Sequence, residues 1–258
     1  MTMSQFPDLP RRRHALGALG ALSAAPLVGL ASTDAEAAWS EQFSAQDFAA
    51  ARSCVLIPQE TQGPYPLLSI LDDPNMVRRD VTEGRPGVAL TLALKLVDVN
   101  KACAPLANAA VYIWHCDKDG VYSGYQQPGH DTRGQTFMRG VQLTNPSGQA
   151  SFTTIFPGCY SGRYPHIHFE VYSSLGMASI GSNARLISQL ALPRDACAAV
   201  YASATGYAAS ATALNGVTLA GDNVFGDNSA AQMAQMTAAV SGSVAAGYTG
   251  AITIGVAA

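Results

Sequence analysis

The chain has 258 residues, of which 48% are hydrophobic and 13% are charged, which is enough apolar material for one sizeable domain core. Its net charge of −3 at pH 7 provides no electrostatic attraction to nucleic acid or to an anionic membrane surface. We therefore expect no nucleic-acid partner and consider small neutral or anionic ligands instead.

The amino terminus has the pattern of an export signal. An arginine cluster at 11–13 precedes an uncharged run over 15–32, and the small-x-small pattern at 35–37 follows, as a signal peptidase requires. The run is short and interrupted by glycine, so we expect no stable membrane anchor. The arginines resemble a twin-arginine signal, with an ordinary secretory signal as the alternative. We predict an export signal over 1–37 and a periplasmic or extracellular location.

Five cysteines fall in the predicted mature chain: Cys54, Cys103, Cys116, Cys159 and Cys197. In an oxidising compartment, up to two disulfides would leave one thiol. The sequence contains no Cys-x-x-Cys pair, which argues against a zinc ribbon or a thioredoxin-like site. The spacing alone does not assign the pairing.

The remainder of the chain is dominated by short apolar runs separated by turn residues, a pattern typical of β-strands. A helix is predicted over 39–52 and another over 232–244, and 145–148 is a predicted turn. These features predict an all-β fold, an antiparallel β-sandwich or barrel-like core with short peripheral helices, in a single domain over 38–258. The predicted strands are 88–99, 110–115, 136–143, 150–156, 166–172, 186–192 and 251–256.

A histidine pair carries the clearest chemical signal. His166 and His168 are two residues apart in a predicted strand, so both imidazoles project from one face while Ile167 faces the other way. Only five histidines occur in the chain, and two on one face form a natural chelating pair. Taken alone, the pair suits zinc, copper or iron, and buried structural histidines are the alternative.

Tyrosines, rather than carboxylates or cysteines, accompany this pair. Tyr160 and Tyr164 lie just upstream, and Tyr122 and Tyr125 follow a turn after a predicted strand. Because a phenol has a pKa of about 10, a tyrosinate ligand needs a strongly Lewis-acidic ion, and iron(III) suits a phenolate oxygen beside imidazole. Tyr164 shares the strand face of the histidines and is therefore an alternative to Tyr160.

Three blocks of sequence resemble the intradiol ring-cleavage dioxygenase family, in the family's order, within a similarity that covers roughly residues 54–192. The gap between Tyr160 and His166 is short and a helical dimerisation region is missing, as in the secreted branch of that family. The blocks contain Gln62-Gly63-Pro64-Tyr65, Tyr112-Ile113-Trp114-His115 with Gly120-Val121-Tyr122, and Phe156-Pro157-Gly158-Cys159-Tyr160 with Arg163 and His166-Ile167-His168.

This resemblance implies an enzyme that uses Fe(3+) and dioxygen to open a catechol-type ring between its two hydroxylated carbons, giving a cis,cis-muconate-type diacid. The iron ligands it implies are Tyr122, Tyr160, His166 and His168. Tyr160 is then also the ligand that leaves when the small aromatic diol binds, and it accepts a substrate proton.

The resemblance also implies residues around the substrate. Arg163 matches the family arginine three residues before the first histidine and would stabilise developing negative charge, with an ordinary ion pair as the alternative. Gln189 matches a family glutamine in a later strand. Tyr65 is predicted either to face the substrate or to pack the turn after Pro64. His115 is expected to be a packed or hydrogen-bonded strand residue.

Other kinds of protein fit parts of the pattern. A secreted β-sandwich binding module would carry the histidine pair without turnover, and a copper or zinc protein would use the pair with other ligands. A family member that binds iron without turnover is a third alternative. Metal content and a visible spectrum distinguish the first two from an iron-tyrosinate enzyme.

Overall fold

The computed structural model describes residues 54–180 and 183–258. The predicted export signal over 1–37 and the predicted helix over 39–52 lie outside these residues. In chain order the strands are β1 (Ala89–Asp98), β2 (Ala104–Pro105), β3 (Ala110–Trp114), β4 (Gln126–Gln127), β5 (His130–Asp131), β6 (Arg139–Leu143), β7 (Gln149–Ile155), β8 (His166–Tyr172), β9 (Leu186–Ala191), β10 (Ala239–Ser243) and β11 (Gly247–Val256).

Helices are short and peripheral. The α-helices are α1 (Leu175–Ala178), α2 (Arg194–Ser203), α3 (Ala208–Asn215) and α4 (Ala230–Met236), and the 3-10 turns are Leu68–Ile70, Pro74–Met76, Val99–Lys101 and Leu219–Gly221. No helix among the described residues has the length and apolar character needed to cross a membrane.

Two sheets form the body of the described chain. The first has the order β10-β11-β1-β2, with β7 also paired to β1, and the second has the order β6-β3-β8-β9. The predicted all-β fold is confirmed. One pairing departs from the antiparallel expectation, since β1 and β11 run parallel over nine registered pairs from Leu90↔Tyr248 to Asp98↔Val256. A parallel pair requires a long crossover, and the helical segment between β9 and β10 lies within the stretch that provides it.

The core lies between the sheets because the strands alternate their side chains. Leu92 and Leu94 of β1 and Phe152 of β7 point into the same buried cluster as Ile167 and Phe169 of β8. Successive residues of a strand face opposite ways, so the even-numbered residues of β8 face away from this core. Those residues include both histidines of the predicted metal site.

The carboxyl-terminal region differs most from expectation. The helix predicted over 232–244 is wrong in its second half, because α4 ends at Met236 and 239–243 form β10 against β11. Helices α2 and α3 were not predicted. Their Ala-rich sequences show little amphipathic contrast, and the pairing of β10 depends on a strand that follows it in the chain.

A disulfide joins Cys54 to Cys103 across 49 residues. Cys116, Cys159 and Cys197 are free and buried. The bond ties the first described residues to the turn that follows β1.

Candidate metal centre

Strand β8 carries the histidine pair on the face opposite the core. His166 and His168 are both 2% exposed, and their Nε2 atoms lie 3.1 Å apart. Ile167 points into the core between the sheets, as the two-residue spacing predicted. The pair therefore lies on the outer face of the second sheet, beneath the loops that precede β1 and follow β3.

Two phenols converge on the same point. The Tyr122 Oη atom lies 3.1 Å from His166 Nε2, 3.3 Å from His168 Nε2 and 3.2 Å from Tyr160 Oη. The Tyr160 Oη atom lies 3.4 Å from His166 Nε2. These two oxygens and two nitrogens, here called the donor cluster, bring together all four predicted ligands.

The dimensions of the donor cluster fit one metal ion. Four ligands placed roughly 2.0 Å from an ion at tetrahedral corners lie roughly 3.3 Å from each other, which matches the measured spacings. Among the described residues, His, Cys, Asp and Glu form no group of three or more able to hold a metal. A metal bound by these histidines would therefore take its remaining protein ligands from the phenols.

The histidine rings are held in orientations that suit ligation. His166 Nδ1 lies 2.6 Å from the backbone carbonyl oxygen of Tyr164, so this nitrogen carries the proton and Nε2 keeps its lone pair. The Trp114 ring stacks on the His168 imidazole, with the ring centroids 4.7 Å apart and an angle of 5° between the ring planes. Gly63, at φ +71°, lies against His168, and an added Cβ would come within 3.1 Å of the ring.

Burial keeps every member of the donor cluster uncharged when no cation is bound. It lowers the pKa of His166 to about 3, assisted by the nearby Arg163 charge, and lowers that of His168 well below its usual range. It also raises the pKa of Tyr160 to about 12 and that of Tyr122 well above 10. The imidazoles are therefore neutral and ready to ligate, whereas the phenols need a strong cation before they ionise.

The loop after β3 fixes Tyr122. Its backbone carbonyl accepts hydrogen bonds from Gln127 Nε2 at 2.7 Å and Thr132 Oγ1 at 2.7 Å. The Tyr65 ring packs on the Tyr122 ring, with the two ring centroids 4.8 Å apart. Tyr65 thus borders the donor cluster and is partly exposed, a position compatible with either of its two predicted roles.

Two loops come into close contact just before Tyr160 in the chain. A Cβ on Gly158 would lie 2.5 Å from the Lys118 carbonyl oxygen, so only glycine allows the loop before Tyr160 to reach the loop before Tyr122. Tyr164, the alternative ligand, packs its ring against Phe225 in the core. The structure therefore places Tyr160, and not Tyr164, in the donor cluster.

Arg163 is held beside the donor cluster by two partners. Its Nε donates to Asp222 Oδ2 at 3.0 Å and its Nη2 donates to Gln189 Oε1 at 2.6 Å. Gln189 is fully buried and donates from Nε2 to the Thr61 carbonyl. Both the oxygen and the nitrogen of the Gln189 side-chain amide are therefore hydrogen bonded within the protein. This favours a role in positioning Arg163 over the predicted substrate contact.

Comparison with known proteins identifies the family. A sequence profile described as dioxygenase matches residues 62–212, more than half of the chain. The chain belongs to the intradiol ring-cleavage dioxygenase family. This family membership confirms the resemblance seen in the three sequence blocks.

Three solved structures are similar to this chain. The intradiol ring-cleavage dioxygenase from Tetranychus urticae is 26% identical, with a TM-score of 0.65 over 79% of this chain and 95% of that one. Dioxygenase Tetur07g02040 is 24% identical, with a TM-score of 0.61 over 79% and 95% of the two chains. The dioxygenase domain of a carbohydrate-binding fusion from Streptomyces sp. SirexAA-E is 22% identical, with a TM-score of 0.49 over 78% and 97%. No curated protein sequence matches the chain.

Several residues of this dioxygenase site were not predicted. Asp222 lies beyond the 62–212 match and reaches Arg163 across 59 residues. Glu170, on the same face of β8 as the histidines, accepts hydrogen bonds from Gln62 and Tyr172. The even spacing of 166, 168 and 170 was a usable signal for Glu170, whereas no local pattern marks Asp222.

Arg139 is a third unpredicted residue. It is completely buried, and its guanidinium donates to Ser123 Oγ and the Ser123 carbonyl at 2.8 Å and to the Tyr65 carbonyl at 2.8 Å. It also donates to Tyr112 Oη at 3.0 Å. Arg139 thereby joins the loop that carries Tyr65 to the residue that follows Tyr122.

We expect Arg139→Leu to lower the free energy of unfolding by about 3 kcal/mol or more, because buried acceptors lose their donor. Urea denaturation followed by circular dichroism measures this change. The matched control is Arg133→Leu, which removes an exposed arginine paired with Asp131 and should change stability by less than about 0.5 kcal/mol. Equal stabilities of the two variants would contradict the prediction.

Proposed function

We propose that this chain is an iron(III)-dependent dioxygenase that opens a catechol-type ring between its two hydroxylated carbons and forms a cis,cis-muconate-type diacid. The observation that carries the proposal is the donor cluster, in which Tyr122 Oη and His166 Nε2 each lie 3.1–3.4 Å from the other three donor atoms. Family membership supports the reaction class. The co-substrates are dioxygen and a small aromatic diol.

The ligand chemistry favours iron(III) over zinc or copper. Tyr122, Tyr160, His166 and His168 would hold the ion, and two phenolates are hard, anionic donors that suit a trivalent cation. Because burial raises the pKa of both phenols, only a strongly Lewis-acidic ion would keep them ionised at neutral pH. When bound, iron(III) supplies the Lewis acidity and redox capacity needed for reaction of a catecholate with dioxygen.

The two phenols have different environments and therefore different roles. Tyr122 is 1% exposed and is held by its loop and by the Tyr65 ring, whereas Tyr160 is partly exposed. We assign Tyr160 as the ligand that gives way to the incoming diol, with its Oη accepting a substrate proton. Tyr122 keeps its position throughout.

Arg163 is oriented to stabilise negative charge. With Nε held by Asp222 and Nη2 held by Gln189, the Nη1 group makes no hydrogen bond to any described residue. A preorganised donor of this kind strengthens its interaction as charge develops on the reacting ring. Tyr65 borders the same space and would contact the ring face.

A visible spectrum of the purified protein tests the proposal. We expect a broad band from tyrosinate-to-iron charge transfer and a shift of that band when catechol is added without dioxygen. Tyr160→Phe should weaken the band, and the control Tyr164→Phe should leave it unchanged because that ring packs in the core. A colourless protein without stoichiometric iron would refute the iron assignment.

We also propose that the chain is exported. The support is the signal pattern over 1–37 together with the Cys54–Cys103 disulfide, because disulfides persist in oxidising compartments. Sequencing the amino terminus of secreted material should give a start near Ala38. Material that begins at Met1 would refute export with cleavage.

A further inference from the structure

The guanidinium of Arg163, which lies near Tyr160, is already paired with a carboxylate. Asp222 is completely buried and pairs with Arg163 at 3.0 Å. Its carboxylate also accepts backbone N–H groups from Tyr164 at 2.6 Å, Val224 at 2.8 Å and Phe225 at 3.1 Å. Burial opposes ionisation of Asp222, but these N–H groups and Arg163 hold its pKa below the usual range. The aspartate is therefore a permanent counter-ion to Arg163.

Further carboxylates lie near the same guanidinium. Asn228 Nδ2 donates to Glu60 Oε1 at 2.8 Å and to Asp227 Oδ1 at 3.3 Å, which links the two carboxylates. Glu60 lies within electrostatic range of Arg163, Asp222 and Asp227. Asp222 and Glu60 thus place two carboxylates around the one guanidinium of Arg163, so the surroundings of the guanidinium are net negative.

Arg139, the other cation close to the donor cluster, is not available to a substrate. It is completely buried, and its guanidinium is engaged by Ser123, Tyr65 and Tyr112. Its guanidinium also lies over the Tyr125 ring, 5.7 Å from the ring centroid.

The wall on the side of Tyr65 is apolar. Tyr122 and Leu71 belong to a buried hydrophobic cluster, and the partly buried residues Tyr65, Leu68, Tyr160 and Met177 pack against it. An apolar wall accommodates an alkyl or hydrogen substituent of a ring, whereas a carboxylate placed there would lose its hydration without gaining a partner.

From this arrangement we infer that the site selects catechols whose ring substituents carry no negative charge, and rejects catechols that bear a carboxylate. The inference rests on the proposed function and specifies its substrate class. Recognition of a carboxylated ring requires an uncompensated cation or a bidentate arginine. Here Asp222 compensates the charge of Arg163 and leaves only its Nη1 group free, and Arg139 is fully engaged by its own partners. Glu60, within electrostatic range of Arg163, adds repulsion to this lack of attraction.

The test is anaerobic calorimetry of the iron-loaded protein with three probes: catechol, 4-methylcatechol and 3,4-dihydroxybenzoate. We expect the two uncharged diols to bind at least about tenfold more tightly than the carboxylated one. Glu60→Gln should narrow this ratio, because removal of the Glu60 charge should let the carboxylated diol bind more tightly than it does to the parent protein. Steady-state kcat/KM values with dioxygen present should show the same order.

The matched control is Glu83→Gln, because Glu83 pairs with Arg78 and Thr136 and with no residue of the donor cluster. It should leave the ratio unchanged. Equal or tighter binding of 3,4-dihydroxybenzoate by the parent protein would overturn the inference while leaving the proposed function intact. An equal effect of the two substitutions would overturn the role of Glu60. A protein that binds none of the three diols would overturn the inference together with the proposed function.

Discussion

His166→Ala is expected to remove iron from the purified protein and to reduce ring-cleavage turnover by more than about 10³-fold, beyond the loss of one preorganised donor. The imidazole contributes a neutral nitrogen 3.1–3.4 Å from the other three donors, and alanine contributes none. The two phenols would also be harder to ionise. Burial raises the pKa of each, and a weakly bound cation would offset that rise less. Metal analysis and dioxygen uptake measure the two effects.

The matched control for this variant is His130→Ala. His130 is exposed on the β4–β5 hairpin, and its loss should leave both iron content and turnover at the parental level. Circular dichroism and urea denaturation would show whether the His166 variant keeps its fold. A folded His166→Ala protein with full iron occupancy would remove His166 from the ligand set.

Arg163→Leu is expected to reduce kcat by about 10²–10³-fold, which corresponds to about 2.7–4 kcal/mol, while iron stays bound. The expected loss falls on kcat more than on KM because the guanidinium interacts most strongly with charge that develops during the reaction. Dioxygen uptake under saturating catechol and metal analysis of the same sample measure it.

Two further variants separate charge from geometry at this position. Arg163→Lys keeps the positive charge but cannot hold Asp222 and Gln189 with a rigid fork, so its turnover should be intermediate. Arg133 is an exposed arginine on another loop, and the control variant Arg133→Leu should retain full turnover. Near-parental kcat in Arg163→Leu would show that the arginine serves only as the partner of Asp222.

Local patterns predicted the sheets well. The bounds of β8 coincide with the prediction over 166–172, because its alternation places apolar residues in the core and the histidines outside it. The parallel pairing of β1 with β11 could not be predicted, since no local property of either strand specifies a partner 158 residues away in sequence. The strand β10 was mistaken for helix because Ala and Ser without clear periodicity fit both states.

The candidate site followed from the sequence as far as its residues lie in short blocks. Tyr122, Tyr160, His166 and His168 were each named, and the structure brings them together. Asp222 and Arg139 could not be named, because their importance lies in contacts made after folding. An aspartate in a loop and an arginine at the start of a strand look ordinary until their partners are known.

The placement of β11 has a consequence for biosynthesis. This strand lies between β10 and β1 in the interior of the first sheet, yet it follows its partner β1 by 158 residues in the chain, as in the pair Leu90↔Tyr248. While the chain is still being made, β1 therefore presents an open edge with apolar side chains. The long-range pairing that closes it forms late and slowly. The first sheet is therefore completed only after the residues of β11 have been synthesised, long after those of β1.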